Sequence, residues 1–523
     1  MKLVAICCLA IGLCGTLWAQ AAAPENGLTL TADCMAIPTF ECLSLKLPFR
    51  GDANGNATCT PRYRAAGEAD WRTGHPLWAD RDRGQFRGSL VGLRPGAAYE
   101  VELRCADPDG VSPPQTVALT AQTWSESFPI ADTVWVEPGT HTQPLRIERS
   151  GSAAGYILYS GRPGREQDTI IDVGGAADND VTVNGDYVIV RGLTLRNAGT
   201  NAVNILQRHH VVIERCTITG WGRQGGPGIP GDLDAGVCSR NGGAQIVIQD
   251  NIIRDPRGAA NTWAEGHPEG PQAISLIQTE GNHVIRYNDL ISSEGHPYND
   301  TLGGGWNSEI KGFCCRDSDI YGNHVADCTD DGIEVDGGAE NIRVWDNLIE
   351  RTYCGISLAP VILGPVYVWR NVIREYGGAA LKMGYGERRS YGAVYLYHNT
   401  VFAPDQSAIA DWGGAFGFLT SRNNILAVGN GPCIDDRRDD PTNSYDYDLL
   451  QGRVKLNRPT EPHGVKGDPG FVDASAGVLL LTPQSAAVDA GVVLPGFDDG
   501  FAGRAPDLGA FELGSTGGRY GPR

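Results

Sequence analysis

We predict an all-β fold for this chain, dominated by a right-handed single-stranded parallel β-helix, from three observations. Short apolar runs that end in a shared Asn recur from about residue 130 onward. Their spacing is 24 to 37 residues, which accommodates two or three short strands with tight turns but no helical crossover. The chain of 523 residues also contains 70 glycines and 31 prolines without a G-X-Y period, which excludes collagen and is typical of a turn-rich β protein.

The composition excludes other classes. With 41% apolar residues the chain can build real cores, so wholesale disorder is excluded. The net charge is −19, and no Lys/Arg run is present, so we expect no nucleic-acid partner.

The N-terminus predicts export. Lys2 precedes an apolar run that ends in Ala19-Gln20-Ala21, a pattern that signal peptidase cleaves, so residues 1–21 form a predicted signal peptide. No later run approaches about 18 apolar residues, so we expect a secreted or periplasmic protein without a membrane span. Export permits disulfides, and we predict the pairs Cys34–Cys42 and Cys59–Cys105.

Residues 28–124 alternate strand-like runs with turns. The stretch from Leu90 through Tyr99 to Leu103 resembles the E-to-F corner of a fibronectin type III domain. The resemblance implies a small β-sandwich with Trp71 as its core tryptophan, acting as a spacer or docking domain.

The repeats of residues 130–515 align on one column. Its members are Gly192, Cys216, Asn251, Asn288, Asn323, Asn347, Asn371, Asn399 and Asn424. We expect each repeat to be one coil of the β-helix, and the asparagines to bond their neighbours in an inward ladder. Their role is structural.

The two ends of this region also carry a resemblance. VWVEPGTHTQPLRIE at its start and APDLGAFELG at its end resemble segments of the right-handed parallel β-helix proteins found among secreted polysaccharide lyases and glycoside hydrolases. This resemblance implies a polysaccharide-degrading enzyme, without choosing between hydrolysis and elimination.

Three consecutive coils exceed the 24-residue spacing by 11 to 13 residues, always before the same strand. Loops inserted at one position of successive coils form a wall, and a wall beside a flat sheet makes a groove for an extended polymer. Because side chains alternate along a strand, the strands that border this groove predict one outward column. It comprises Cys238, Ser275, Lys311, Glu334, Ser357, Lys382 and Ala410.

Glu334 and Asp336 are the predicted catalytic pair. Residues i and i+2 of a strand lie about 6.5 to 7 Å apart, at the low edge of the separation in inverting glycosidases. Crowded carboxylates raise one another's pKa, so one member of the pair acts as the acid and the other as the base, tuned by Asp331. Lys311 completes the predicted catalytic set by orienting substrate. The predicted substrate-binding residues are Trp263, His267, His296, Asn299, Asp300, Trp306, Glu309 and Lys382.

Alternatives stay open on three questions: the reaction, a bound ion and the class of protein. SEIKG, with Lys311, resembles the lysine-bearing strand of chondroitinase B and alginate lyases, which implies a β-eliminating lyase with Lys311 as base. Lys382 with Arg388 and Arg389 is a second basic cluster that suits a lyase or binds an anionic glycan. No cofactor is required, although Asp330, Asp331 and Asp336 suit calcium. A non-catalytic glycan-binding or adhesion protein is the third alternative.

Overall fold

The computed structural model describes residues 25–31, 33–112, 115–224, 232–386, 390–498 and 500–523. The predicted signal peptide, Arg388 and Arg389 lie outside the described residues. The described part contains no α-helix and two short 3-10 helices, Glu166–Asp168 and Ala474–Ala476. It also contains no helix with the length and apolarity that a membrane span needs.

The strands of residues 28–122 form two sheets around one apolar core, and all of their pairs are antiparallel except Leu28–Leu30 with Val111–Ser112. The first sheet comprises, in spatial order, Trp78–Asp80, Gln85–Leu90, Leu43–Gly51, Leu28–Leu30 and Val111–Ser112, with Met35–Pro38 paired to Leu43–Gly51. The second comprises Thr116–Gln122, Ala98–Ala106, Thr58–Ala65 and Arg72–Thr73. Tyr99 Oη accepts a hydrogen bond from the backbone N–H of Arg94, five residues upstream.

Two expectations for this sandwich were wrong. Trp71 is half-buried between the guanidinium groups of Arg62 and Arg64 and does not belong to the core, because both arginines stack on its ring. Cys34 packs against the sandwich core, whereas Cys42 is buried in a different apolar cluster, so the Cys34–Cys42 pair is excluded.

Cys59 and Cys105, the second predicted pair, are neighbours in the structure but form no disulfide. The two residues face each other on adjacent strands with their Sγ atoms 3.0 Å apart, as free thiols.

The rest of the chain is a right-handed parallel β-helix, which confirms the predicted fold class. Each coil contributes strands to three columns. The back sheet comprises Ile130–Val136, Tyr156–Gly161, Val188–Arg191, His209–Glu214, Ala244–Gln249, Val284–Arg286, Asp319–Tyr321, Ile342–Trp345, Val366–Trp369, Val394–Tyr397, Leu419–Arg422 and Ser444–Tyr445.

The other two columns are continuous with each other through the coils. The short-strand column comprises Gly139–His141, Thr169–Asp172, Thr194–Arg196, Thr217–Thr219, Ile252–Arg254, Asp289–Ile291, His324–Ala326, Leu348–Glu350, Val372–Arg374, Thr400–Phe402, the first part of Ile425–Asp435, Leu449–Lys455 and Val465–Lys466. The site column comprises Leu145–Ile147, Asn179–Val183, Asn201–Ile205, Ala235–Arg240, Gln272–Ile277, Leu302–Gly303, Asp331–Glu334, Cys354–Leu358, Ala379–Met383 and Ser407–Asp411. An antiparallel pair, Phe471–Asp473 and Val478–Leu481, follows them.

The predicted asparagine ladder is confirmed. Each Asn from 251 to 399 donates its backbone N–H and its Nδ2 to the Oδ1 of the next, at 2.8 to 3.1 Å. The ladder begins at the backbone N–H of Cys216 and ends on Asp448, which accepts from Asn424. All seven asparagines are fully buried, so the ladder satisfies polar groups that water cannot reach.

Replacing Asn347 with Ala is expected to lower the free energy of unfolding by roughly 2 to 4 kcal/mol. The change removes the acceptor of the buried backbone N–H of Asn323 and one acceptor of its Nδ2, which also donates to the backbone oxygens of Ile285 and Tyr321. Chemical denaturation of both proteins measures the loss. Asn430→Ala, at an exposed Asn whose side chain donates to Asp405, is the control and should change stability by less than about 0.5 kcal/mol. Equal stabilities for the two variants would contradict the structural role of the ladder.

The sandwich packs on the back sheet through buried polar contacts. Lys46 Nζ lies 2.9 Å from Asp317 Oδ2 and also contacts Glu340. Arg343, fully buried, pairs with Asp319 at 2.5 Å and donates to the Ser44 hydroxyl at 2.6 Å. Because buried charges cost free energy when they lose their partners, these contacts fix the sandwich on the β-helix and leave the opposite, site column free.

Candidate active site

The register of the site column places an acid and a lysine on one outward line. Ile333, Ile356 and Leu381 pair in register and face the core. The residues that follow them, Glu334, Ser357 and Lys382, pair in the same register and face outward, as predicted. Lys382 therefore lies two coils beyond Glu334.

Lys311 is not part of this line, contrary to prediction. In its coil the strand of the site column is Leu302–Gly303, and Leu302 rather than Ile310 enters the core. After Gly303 the chain leaves the sheet in a turn-rich loop, so the Lys311 side chain is 46% exposed and contacts Glu280. Gly303 occupies the predicted lysine position. A Cβ there would lie 2.7 Å from Nε2 of Gln272 and 3.1 Å from Oε2 of Glu334, so no side chain fits at this position beside the carboxylates.

Five carboxyl groups form a buried cluster at this point, which we call the acid cluster. Its members are Asp300, Asp330, Asp331, Glu334 and Asp336, all buried. Ligand oxygens of Asp300, Asp330 and Asp331 lie within 4.8 Å of one another, as do those of Asp331, Glu334 and Asp336. Asp331 belongs to both groups and is the centre of the cluster.

Burial and mutual repulsion dominate the electrostatics of the acid cluster. Burial, reinforced by neighbouring carboxylates, raises the pKa of Asp330 to about 9 and that of Glu334 to about 8. Burial likewise raises the pKa of Asp336 to about 7, and that of Asp300 well above its ordinary value. Asp330 and Glu334 are therefore protonated at neutral pH, unless a cation bound among the carboxyl groups favours their charged forms.

Lys382 supplies positive charge to the acid cluster. Its buried Nζ donates to Asp331 Oδ2 at 2.8 Å. Burial lowers the pKa of Lys382, but the charges of Asp331, Asp336 and Asp330 outweigh burial and raise the pKa well above its ordinary value. The other oxygen of Asp331, Oδ1, is buried without a hydrogen-bond donor among the described residues.

The spacing expected of the predicted hydrolytic pair is not found. Oxygens of Glu334 and Asp336 approach within 4.8 Å, less than the roughly 6.5 Å at which an inverting pair begins to accommodate a water. Asp336 is also saturated, because it accepts hydrogen bonds from the Ser357 hydroxyl at 2.9 Å, the N–H of Ala359 at 2.6 Å and Asn307 Nδ2 at 2.8 Å. Glu334 accepts one, from the N–H of Gly304 at 2.9 Å.

The inserted loops bring two of the predicted substrate-binding residues to the cluster. Trp263 Nε1 donates to Asp330 Oδ1 at 3.2 Å, and His267 Nε2 lies 3.9 Å from Asp330 Oδ2. Trp306 is 71% exposed on the loop that follows Gly303.

Asn299 also lies beside the cluster, because its backbone oxygen accepts a hydrogen bond from the N–H of Asp330 at 3.0 Å. The backbone oxygen of His296 accepts from the Ser292 hydroxyl, and the Glu309 carboxylate accepts from Gln278, so these two residues bond partners outside the cluster.

Sequence reasoning missed two aromatic residues beside the cluster, Tyr353 and Trp412. The Tyr353 ring centroid lies 5.6 Å from that of Trp263 and 6.1 Å from that of Trp412. Lys382 Nζ lies 6.0 Å from the Trp412 ring. A signal was present, since Trp412 comes two residues after the outward Ala410 and so continues the predicted alternation.

Comparisons with known proteins agree with the architecture. Residues 179–359 match the family model of the right handed beta helix region. Pectate lyase Pel9A is 14% identical with a TM-score of 0.46, covering 75% of this chain and 92% of its own. An alginate lyase from Paenibacillus sp. str. FPU-7 is 14% identical with a TM-score of 0.35, covering 56% and 93%. The family 28 exopolygalacturonase of Yersinia enterocolitica is 12% identical with a TM-score of 0.28, covering 85% and 98%.

A comparison with curated protein sequences found no match. The names of these neighbours include both lyases and a hydrolase, and at such identities and TM-scores none of them identifies the reaction of this chain. The fold assignment rests on the strand register itself, in which consecutive coils pair in parallel through three columns.

Proposed function

We propose that this protein is a calcium-dependent polysaccharide lyase that cleaves a uronate-containing glycan by β-elimination. One observation carries the proposal: inside a cluster of five acids, a buried lysine lies 2.8 Å from a carboxylate whose second oxygen has no hydrogen-bond donor among the described residues. Elimination from a uronate needs a base and a cation that neutralises the carboxyl group. Lys382 is the proposed base, and the carboxylates of the acid cluster are the proposed ligands of the cation.

The donor set suits calcium. All candidate ligands are oxygens, which hard cations prefer, and Ca²⁺ binds oxygen at about 2.3 to 2.6 Å. Oxygens within 4.8 Å of one another can therefore share one ion. Asp300, Asp330, Asp331 and Glu334 would hold it, and Asp331 Oδ1 has no hydrogen-bond donor in the part of the chain that the structure describes. Asp336 already accepts hydrogen bonds from Ser357, Ala359 and Asn307, so we do not assign it as a calcium ligand.

A bound calcium ion would supply positive charge against the carboxylates and the uronate carboxyl group. Lys382 then faces less negative charge, which lowers its pKa and lets Nζ accept a proton. Lys382 takes the proton from the carbon beside the carboxyl group, and the electron pair forms a carbon–carbon double bond. The bond from the adjacent carbon to the glycosidic oxygen breaks, and that oxygen takes a proton from water.

Product analysis tests the reaction type. The purified protein is incubated with polygalacturonate, alginate, hyaluronan and a neutral xylan, with calcium or with a chelator. We expect new reducing ends together with the near-ultraviolet absorbance of an unsaturated uronate, on a uronate polymer and with calcium only. Reducing ends without absorbance would overturn elimination.

Hydrolysis is a second candidate, favoured by one observation. The pKa of Glu334, raised to about 8 by burial and by Asp336, keeps this side chain protonated at neutral pH, as a general acid requires. Cleavage without absorbance that persists in chelator and disappears in Glu334→Gln would support it.

A further inference from the structure

We propose that Trp263, Tyr353 and Trp412 form a continuous sugar-binding platform that holds two neighbouring pyranose rings on one side of the acid cluster. The platform deepens the proposed function and rests on it for the identity of the polymer. The three side chains come from different coils, and adjacent ring centroids are 5.6 and 6.1 Å apart. The row therefore runs along the axis of the β-helix, the direction in which a polymer lies in the groove.

The exposure of the rings indicates a ligand. Trp263 is 37% exposed, and Tyr353 and Trp412 are only half-buried, on the face that carries the acid cluster. Burial is the main contribution of an aromatic ring to stability, so the part of a ring that stays exposed is available to a ligand. Large flat rings that stay accessible beside polar groups suit the apolar face of a sugar.

The residues beneath the platform are small. Tyr353 and Trp412 rest on Cys354, Ala379 and Ala410. Between the two rings lies Gly378, where a Cβ would come within 3.2 Å of both of them. Larger side chains at these positions would push the rings away from the sheet and from each other. The small residues therefore keep the rings close together.

Two contacts connect the platform with the residues proposed to bind calcium and to act as the base. Trp263 is oriented by its bond to Asp330, a proposed calcium ligand. Trp412 lies beside Lys382, the proposed base, with 6.0 Å between Nζ and the ring centroid. The Trp263 and Tyr353 rings are inclined by only 32°, whereas Trp412 stands at 87° to Tyr353.

Two subsites follow from this orientation. Trp412 forms a wall for the sugar that reacts, and Trp263 with Tyr353 forms a floor for the next sugar. Because the floor carries no charge of its own, the sugar on it is recognised by its apolar face, whether or not it is a uronate.

Binding and kinetics together test the platform. In a full-length protein carrying Lys382→Arg, which blocks cleavage, calorimetry with calcium measures Kd for hexasaccharides of polygalacturonate, alginate and xylan. Trp412→Ala and Tyr353→Ala are each expected to raise Kd by about tenfold, and Trp412→Phe by much less. Trp135→Ala, at an exposed tryptophan of the first coil, is the matched control and should leave Kd unchanged. With Lys382 restored, Tyr353→Ala should raise KM more than it lowers kcat.

The outcomes separate the two proposals. Tight binding that falls in the platform variants, without any elimination product, overturns the lyase and supports the platform. Elimination that proceeds with unchanged Kd and KM in Trp412→Ala and Tyr353→Ala overturns the platform alone. Absence of binding to every hexasaccharide overturns the platform as well.

Discussion

Replacing Lys382 with Ala is expected to lower kcat/KM for uronate cleavage by about 1,000-fold, within the range that a general base contributes. The reason is geometric: among the described residues, Lys382 carries the one ammonium group that lies against the acid cluster. Lys382→Arg should be equally inactive, because arginine preserves the positive charge beside Asp331 but does not give up its proton. Initial rates of absorbance increase measure both variants.

Lys311→Ala is the matched control for that prediction. Lys311 is exposed and contacts Glu280, outside the site column, so activity should stay within about twofold of the wild type. Activity that survives in Lys382→Arg would show that Lys382 serves as a charge rather than as the base. Loss of activity in Lys311→Ala, with Lys382→Ala active, would restore the assignment first suggested by SEIKG.

Calcium is expected to stabilise the protein, and Asp331→Asn to abolish this effect. A ligand that binds only the folded state at 100 times its Kd adds about 2.7 kcal/mol to the free energy of unfolding. Asp331 is the residue shared by both carboxylate groups, and no described residue donates a hydrogen bond to its Oδ1. Thermal unfolding with and without calcium, in the presence of excess magnesium as a specificity control, measures the difference for each protein.

Two variants make this result interpretable. Glu334→Gln removes one candidate ligand without touching the ion pair of Lys382 with Asp331, and should weaken the calcium effect. Asp405→Asn, at an exposed carboxylate that bonds Asn430, should retain the whole effect. Equal calcium shifts in Asp331→Asn and Asp405→Asn would show that the acid cluster is not the ion site.

The repeat pattern predicted the fold because it reports a local and periodic requirement. A buried Asn that bonds the Asn of the next coil must recur once per coil, whatever the length of the loops between them, as Asn288 and Asn323 show across 35 residues. The same periodicity placed Ile333 and Leu381 in the core, and hence Glu334 and Lys382 on the outward face.

The same reasoning failed where a loop interrupts the period. Leu302 and Ile310 are both apolar and both precede a small or polar residue, so pattern alone does not tell which one enters the core. The structure selects Leu302, because three glycines follow it and allow the chain to turn away above Glu334. This choice moves Lys311 out of the site and leaves Lys382 beside the acids.

The sequence by itself determined the all-β class, the coil repeat, the outward line of Glu334 and Lys382 and the density of acids in TDDGIEVDGG, because each follows from alternation or repetition along the chain. Tertiary structure alone decided which groups meet. Asp300, Asp331 and Lys382 come from three separate strands or loops, and their contacts depend on the stacking of coils. The platform of Trp263, Tyr353 and Trp412 was decided in the same way, since rings distant in sequence become neighbours only when the coils stack about 4.8 Å apart.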